Sequence, residues 1–562
     1  MQIKSRVINQ IVVDALIAAG ENPLLARLYA ARGVVHPSEL EASLAYIIPP
    51  EQLTHNTQMA VLLADAIAAN KKILVIGDYD ADGATATAVA VKGLRSMGAE
   101  VDFLVPNRFE YGYGLTPEIV ALSQSMQPDI IVTVDNGIAS VDGVAAANAL
   151  GIQVLITDHH LPADMTPAAA CIVNPNQHGC DFKSKNLAGV GVMFYVLLAL
   201  RAQLRSRGAF EHKPEPNLTE LLDLVALGTV ADLVKLDANN RILVEQGLRR
   251  IRAGACCAGI TALLQVAGRT PEKISAQDLG FYVGPRLNAA GRLDDMRLGI
   301  ACLLAENAMD ATQKAQTLHE LNMERRNIEA DMQDSALVML EFIEVDGQFS
   351  LSIFNADWHQ GVIGILASRL KDRYYRPTIV FAESGDGLLK GSGRSIAGLH
   401  LRDALDLVTK RHPNLIIKFG GHAMAAGLSI HQADFLTFQL AFEAVVKSLL
   451  TETDLQAVIE TDGGLQGNEI SLATAQLLSK QVWGQGFHQP LFCDTFQVIN
   501  QRIVGEKHLK LLLEKDQKRF DAIYFNHQEN LPEKVVATYA LEANEYKGLQ
   551  TVQLQLKYAD GV

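Results

Sequence analysis

Cysteine is scarce in this chain. Six cysteines in 562 residues, at 171, 180, 256, 257, 302 and 493, include no Cys-x-x-Cys pair. That spacing gives no ground for a zinc site or a disulfide scaffold, and it fits a reducing, cytoplasmic setting. Long apolar runs are also missing. The longest uncharged one, Leu187 to Leu200, is too short to cross a bilayer and holds two glycines, so we read it as a buried helix. The chain starts Met-Gln-Ile-Lys-Ser-Arg, but Asp14 breaks the apolar stretch that a secretory leader needs. Excess positive charge is absent, because the formal net charge is −14. A nucleic-acid site would have to be a local basic groove, not a cationic coat. No arrangement resembling a nucleophilic Ser or Cys dyad stands out. What remains is ordinary for a soluble globular protein: 49% hydrophobic and 20% charged residues. The length exceeds what one core supports, so three or four domains are expected.

The chain is organised around residues 73–83. Ile73 to Ile76 is an apolar run that predicts a buried strand. It stops at Gly77, and carboxylates follow on alternate residues, Asp78, Asp80 and Asp82. Gly83 and a small-residue helix over 84–94 come next, so strand, acidic turn and helix open a βαβ unit. Ligands of open α/β sheets sit outside the carboxyl ends of the strands. Three acids crowded there repel unless a cation lies among them, and hard divalent cations take such oxygen ligands. A solvated acidic turn would be an adequate account of one Asp. Two further runs repeat the pattern: Asp129 to Val134 ends in Asp135-Asn136-Gly137, and Gln153 to Thr157 ends in Asp158-His159-His160. In a parallel sheet these ends share one edge. Nothing structural requires Asp or His at all three.

Asp-Tyr-Asp-Ala-Asp-Gly, Val-Asp-Asn-Gly and Asp-His-His together resemble the first three motifs of the DHH phosphoesterase superfamily. The later motifs narrow the resemblance to its RecJ family of single-stranded-DNA exonucleases, over essentially the whole chain. Pro106 to Glu110 and Gly284 to Asp295 point to gamma-proteobacterial members. The resemblance implies a multidomain α/β protein: an N-terminal helical cap (1–50), a doubly wound, mostly parallel DHH domain (51–305), a connecting helix (306–342), a smaller α/β DHHA1 domain (343–452) and an OB-fold barrel (453–562). The sequence pattern supports several of these divisions by itself. Residues 306–342 contain no Gly or Pro and carry apolar residues at helical spacing, and the last hundred residues break into short alternating segments.

The resemblance also assigns roles. Asp232, just past an apolar helix that starts at Leu221 and ends near Gly228, becomes a metal ligand; its composition alone suits a helix cap equally well. The expected ligand set is Asp80, Asp82, Asp135, His159 and Asp232, holding one or two Mn²⁺ or Mg²⁺ ions, with Asp78 a ligand or a supporting group. Asp158 would orient a histidine, and His160 would contact the scissile phosphate or protonate the leaving oxygen. Arg108 and Tyr113 lie on a loop after a strand over 101–105, where an Arg among aromatics suits phosphate and a stacked base. Arg286 and Asn288 sit on a glycine-bounded segment read as a loop; they face substrate by resemblance, while a helix start or ion pairs are the plain alternative. Ser392, Arg394, Ser395 and His422 belong to glycine-rich segments able to close on an anion, although a lone histidine such as His422 or His359 is often structural. Arg502, Lys507 and Lys510 cluster near a turn of the expected barrel with His508, Tyr524 and Phe525, a mixture suited to single strands; a solvated hairpin is the plain reading.

The activity implied is metal-dependent hydrolysis of single-stranded DNA from its 5′ end to mononucleotides, in recombination and repair. The family's partners would be single-strand-binding protein and a recombination helicase, and a cytoplasmic monomer without membrane contact is expected. Two rivals are a phosphoesterase of short oligonucleotides or small phosphate compounds, and a DNA-binding scaffold with a dead site. The C-terminal barrel opposes the first and the complete acid and histidine set opposes the second.

Overall fold

The computed structural model describes residues 2–107, 111, 114–341, 345–546 and 548–561. The chain forms two compact units, one built on Ser5–His319 with the stretch from Glu460 onward, the other on Glu320–Ile459. A 33-residue helix, Ala308–Leu340, carries the chain from the first to the second.

The core of the larger unit is a five-stranded parallel sheet in the order Glu100–Leu104, Lys72–Gly77, Ile130–Val134, Gln153–Thr157, Cys171–Val173. The inner strands are buried on both faces, which is why they read as unbroken β-branched runs and not as alternating patterns. The second strand in sequence lies on one side of the first and all later strands on the other. The order of strand addition therefore reverses between Lys72–Gly77 and Ile130–Val134, where such sheets open a crevice. Register completes the arrangement. Gly77 pairs with Val134, Val134 with Thr157 and Thr157 with Val173. The next residues in each strand, Asp78, Asp135, Asp158 and Asn174, so leave the sheet in one row. Helix Ala81–Ser96, rich in alanine, packs under this edge against helices Gly189–Ser206 and Leu222–Ala231. Its small side chains allow that three-way contact.

Strands Phe492–Val504, His508–Lys515, Lys518–Tyr524, Leu549–Gly561 and Lys534–Tyr546 close into a barrel. Closure leaves no free strand edge, and Phe492, Phe496, Leu513, Tyr539 and Leu554 fill the interior. The segment before the barrel is fastened to the N-terminal helices. Arg32 makes two 2.9 Å bonds to the Asp462 carboxylate, with both side chains almost fully enclosed, and the Tyr29 ring stacks on Phe487 at 5.8 Å.

The smaller unit is a mixed sheet in the order Lys418–Gly421, Ala425–His431, Leu388–Arg394, Thr378–Glu383, Leu351–Phe354, antiparallel except for its last pair. One face packs on helix Ile363–Tyr374 with Trp358, and the other on helices Leu401–Arg411 and Phe435–Leu449 through Phe381, Phe438 and Phe442. The segment expected as a loop, Gly284–Leu293, is a helix entered through a π-helical turn at Leu279–Val283. Pro285 stands in its first turn, where a missing N–H costs nothing.

Arg32 and Asp462 form a buried pair, so removing either partner leaves a buried group uncompensated. Arg32→Ala should destabilise the larger unit by about 3–5 kcal/mol, read by urea unfolding. Asp462→Ala should cost a similar amount, and the double change much less than the sum. Additive losses would show that the pair is not what fastens this segment.

Candidate active site

The acids at the sheet edge are positioned by the local backbone and, for Asp82, by amides from another helix. Asp80 caps helix Ala81–Ser96 by accepting from the Gly83 N–H at 2.9 Å. Asn288 Oδ1 accepts from the Ala81 N–H at 2.8 Å and pins the same turn. Asp82, in the first turn of that helix, accepts from two amides at the start of helix Gly189–Ser206: Gly189 N–H at 2.6 Å and Val190 N–H at 2.9 Å. That helix has no side-chain cap of its own. Asp82 supplies the anion its N-terminus favours. Asp135 adopts left-handed backbone with φ of 62°, a strained conformation of the kind that collects at functional sites. Asp232 ends helix Leu222–Ala231.

These groups converge on His159. Its Nε2 lies 3.1 Å from Asp135 Oδ1, 3.5 Å from Asp232 Oδ2 and 3.9 Å from Asp82 Oδ2. Three overlapping triplets, Asp135–His159–His160, Asp82–His159–Asp232 and Asp78–Asp80–Asp135, each bring a ligand atom from every member within 4.8 Å of the others. Hard carboxylate oxygens with one or two imidazoles are a donor set for Mn²⁺ or Mg²⁺. The space is kept open as well. A Cβ on Gly189 would lie 2.5 Å from Asp135 Cβ and 2.6 Å from Asp135 Oδ1, so only glycine fits there. The residues present fit a divalent cation.

Charge reflects the crowding. Burial, and then the neighbouring Asp80, push Asp82 up to about 7, against the pull of the Val190 and Gly189 amides. Burial followed by the charges of Asp82 and Asp80 raises Asp135 and Asp232 well above the carboxylate range. Asp158 behaves oppositely. Burial alone would raise it, but its bonds to His160 and to backbone amides lower it. It accepts from the His159, His160 and Ile138 N–H groups at 2.7, 3.0 and 2.9 Å, and Oδ1 lies 2.8 Å from His160 Nδ1. Asp158 therefore orients His160, not His159, and fixes the backbone of the motif. Burial would lower His160, yet the Asp158 bond and charge carry it up to about 9.

The other expected residues lie in three places. Arg286 is buried, donating from Nε and Nη2 towards His319 Nδ1 at 3.2 and 3.0 Å and from Nη1 to the Tyr282 carbonyl at 2.5 Å. In the smaller unit Arg394 Nη1 donates to the Gly393 carbonyl at 2.8 Å and to Ser392 Oγ at 3.3 Å. Ser395 spends its hydroxyl on the Leu399 carbonyl at 2.8 Å, and the His422 N–H donates to the Ala425 carbonyl at 2.8 Å. On the barrel Arg502 and Lys510 face each other across paired strands, with Lys507 in the turn between. Arg108 and Tyr113 lie outside the described residues. Asp223 is not part of the cluster; it accepts from the Cys257 N–H at 2.7 Å. Sequence reading missed the Gly189 and Val190 amides. Their signal was present, an uncapped helix start written Ala-Gly-Val-Gly.

The DHH family N-terminal domain matches residues 72–229, the DHHA1 domain 346–449 and the RecJ OB domain 461–558. Proteins named single-stranded-DNA-specific exonuclease RecJ are 50% identical over 546 residues in Salmonella typhimurium and in Escherichia coli, each covering 95% of both chains. One from Bacillus subtilis is 33% identical over 554 residues, 96% of this chain and 68% of its own. Among solved structures, RecJ from Thermus thermophilus in complex with Mn²⁺ covers 100% of this chain and 79% of its own, with a TM-score of 0.83 at 28% identity. The Mg²⁺ complex has a TM-score of 0.78, covering 100% of this chain and 78% of its own, also at 28% identity.

The raised carboxylates set a pH dependence. A carboxyl group whose folded pKa is raised stabilises the fold below its unfolded pKa and loses that contribution as pH rises through the folded value. For Asp82 that window runs from 3.8 to about 7. Without a divalent cation the melting temperature should therefore fall as pH rises across this window, and added Mn²⁺ should raise it more at about pH 8 than at about pH 5.5. An equal Mn²⁺ effect at both values, in a thermal melt, would mean that these acids do not hold the ion.

Proposed function

The chain belongs to the RecJ family of single-stranded-DNA-specific exonucleases, and from this premise we propose how it works. It is a metal-dependent exonuclease that hydrolyses phosphodiester bonds of single-stranded DNA, in recombination and repair. The observation that carries the mechanism is the aligned row of strand ends, which gathers buried carboxylates and His159 into overlapping triplets.

Asp80, Asp82, Asp135, His159 and Asp232 hold one or two Mn²⁺ or Mg²⁺ ions, with Asp78 beside them. Such ions, when bound, polarise the phosphodiester and make water nucleophilic near neutral pH. The protein's own part is positioning. The Gly189 and Val190 amides aim Asp82, and Asn288 holds the turn that carries Asp80. Asp158 fixes His160 through Nδ1, which leaves Nε2 directed away from it. Held in this way, His160 would either contact the scissile phosphate or give a proton to the leaving O3′ as its bond to phosphorus breaks. Water would form the new P–O bond as the bond to O3′ breaks, losing its proton to solvent.

Polarity comes from an anion pocket built on Ser392, Arg394 and the glycine segment around His422. Capturing a 5′ phosphate sets which end of the strand enters, and release of mononucleotides follows. By the family resemblance Arg108 and Tyr113 would contact the strand, while Arg286, bonded to His319 and the Tyr282 carbonyl, would act by bracing its own helix. The barrel guides the strand through Arg502, Lys507 and Lys510. We divide the chain into a helical cap to 50, a catalytic domain to 305, the connecting helix, a phosphate-binding domain from 343 to 452 and the barrel region after it. No helix among the described residues is long and apolar enough to cross a membrane. We place the protein in the cytoplasm as a monomer, working beside single-strand-binding protein and a recombination helicase.

His159→Ala and Asp135→Asn should each cost at least about 10³-fold in turnover of single-stranded DNA with Mn²⁺ present, without loss of the fold by circular dichroism. Near-normal turnover in both would remove the proposed centre. Arg394→Ala should lower the rate on 5′-phosphorylated strands about tenfold more than on 5′-hydroxyl strands, the order of a lost charge-assisted bond. Equal losses on both, or release of label from the 3′ end first, would show that this pocket does not set polarity.

A further inference from the structure

Beside the acidic cluster lies an apolar feature that the mechanism leaves unused. The π-helical turn Leu279–Val283 exposes Phe281 at 73% and Tyr282 at 37%. π-Helical turns are rare and favour functional sites. This one rests on the last turn of the helix that ends at Asp232. A Cβ on Gly280 would meet Val230 Cγ1 at 3.2 Å, and one on Gly284 would meet Ala231 Cβ at 3.1 Å. The turn is thus packed closely on the two residues before the ligand. On the other side of Asp232 comes Leu233, 66% exposed and at φ of 60°. It is the one aliphatic residue in left-handed backbone among the described residues. Exposure of a single leucine is ordinary, but exposure combined with strain, next to a ligand, is not.

The turn is also braced. The Arg269 guanidinium sits 3.5 Å from the centroid of the Tyr282 ring, and Arg286 holds the Tyr282 carbonyl at 2.5 Å. Arg269 occupies the face of Tyr282, while Phe281 projects into solvent. The same stretch of chain reaches the barrel, where Lys273 pairs with Glu545 at 2.6 Å. Phe281 therefore stands on a turn packed beside Asp232, in a stretch of chain that also touches the barrel. Water-exposed aromatic surface on a braced turn, bordering an anionic-substrate site, suits the flat face of a nucleobase, and stacking of that kind is indifferent to sequence.

We propose that Phe281, with Leu233, forms a seat for a nucleobase of the single strand close to the bond being cut. This rests on the reading of the chain as a single-strand exonuclease. The seat would hold strands of any sequence yet require a base at one fixed distance from the cut.

The test uses the full-length protein with Mn²⁺ and 5′-phosphorylated single strands in which one abasic nucleotide is walked through the first positions. With the native protein, one position should raise KM about tenfold, the order of a lost base–aromatic stack. Phe281→Ala should raise KM about tenfold on intact strands, leave kcat at saturating strand nearly as it was, and add little on strands already abasic at that position. Phe281→Trp should restore KM. Leu233→Asn, which suits left-handed backbone, should raise KM without lowering the melting temperature. KM within about twofold of native for both Phe281→Ala and Leu233→Asn, or the same Phe281→Ala penalty on intact and abasic strands, would overturn the seat while leaving the exonuclease reading in place. Failure of the native protein to degrade any single strand would overturn that reading and this one with it.

Discussion

Buried carboxylates repel one another, and the centre of this protein is arranged to hold several of them together. Asp82 and Asp135 are almost wholly enclosed, and left to themselves such groups would move apart or take up protons. Movement is blocked. Asp82 is clamped by two amides of helix Gly189–Ser206, Asp135 by its left-handed backbone and Asp232 by the end of its helix. Once the acids ionise, the fold carries this conflict as a cost to stability, and a cation relieves it. The same crowding of buried carboxylates is what suits the cluster to a small, highly charged cation.

The architecture around the cluster follows from that requirement. A parallel sheet puts every strand's carboxyl end on one edge, and in-step register turns three separate Asp residues into one row. Alanine-rich helix Ala81–Ser96 lets two other helices approach from below, one bringing amides for Asp82 and the other delivering Asp232. Asp158 has a different task from its neighbours. It is lowered while they are raised, because its partners are amides and an imidazole and not other acids. Two carboxylates one strand apart are thereby driven in opposite directions, Asp158 lowered as an anchor for His160 and Asp135 raised within the acidic cluster.

Much of this was legible in the sequence, because buried parallel strands are written as continuous β-branched runs and the residue after each run is where the sheet opens. The strand-end motifs and the long Gly- and Pro-free helix were readable for that reason. Asp232 was not separable from a helix cap by composition, since its role depends on helix packing far along the chain. Gly284–Leu293 was misread as a loop because glycine and proline imitate one. Here the proline occupies a first turn that tolerates it, and Gly291 is required because a side chain would strike the Tyr79 carbonyl at 1.9 Å. The support of Asp82 by Gly189 and Val190 was invisible for a related reason. Amide donors carry no residue signature, and only the missing cap at that helix start hints at them.

The net charge of −14 looks at odds with a polyanionic substrate. The distribution resolves it. Part of the negative charge is the cluster itself, which a divalent cation offsets where the phosphate must come. Much of the positive charge meets backbone carbonyls or paired acids, as with Arg32 and Arg286, and so does not form a general basic surface. On the barrel, Arg502 and Lys510 stand opposite each other on paired strands with Lys507 at the turn, a short cationic strip on an otherwise acidic molecule. Attraction to DNA is therefore local and falls off within about 8–10 Å at physiological salt. On the proposed reading a strand would be held where the strip, the exposed aromatic turn and the carboxylate cluster act on it. Duplex DNA, whose stacked bases offer no free face to Phe281, gains only the electrostatic part of that binding. On that reading, preference for single strands would follow from the nature of the contacts.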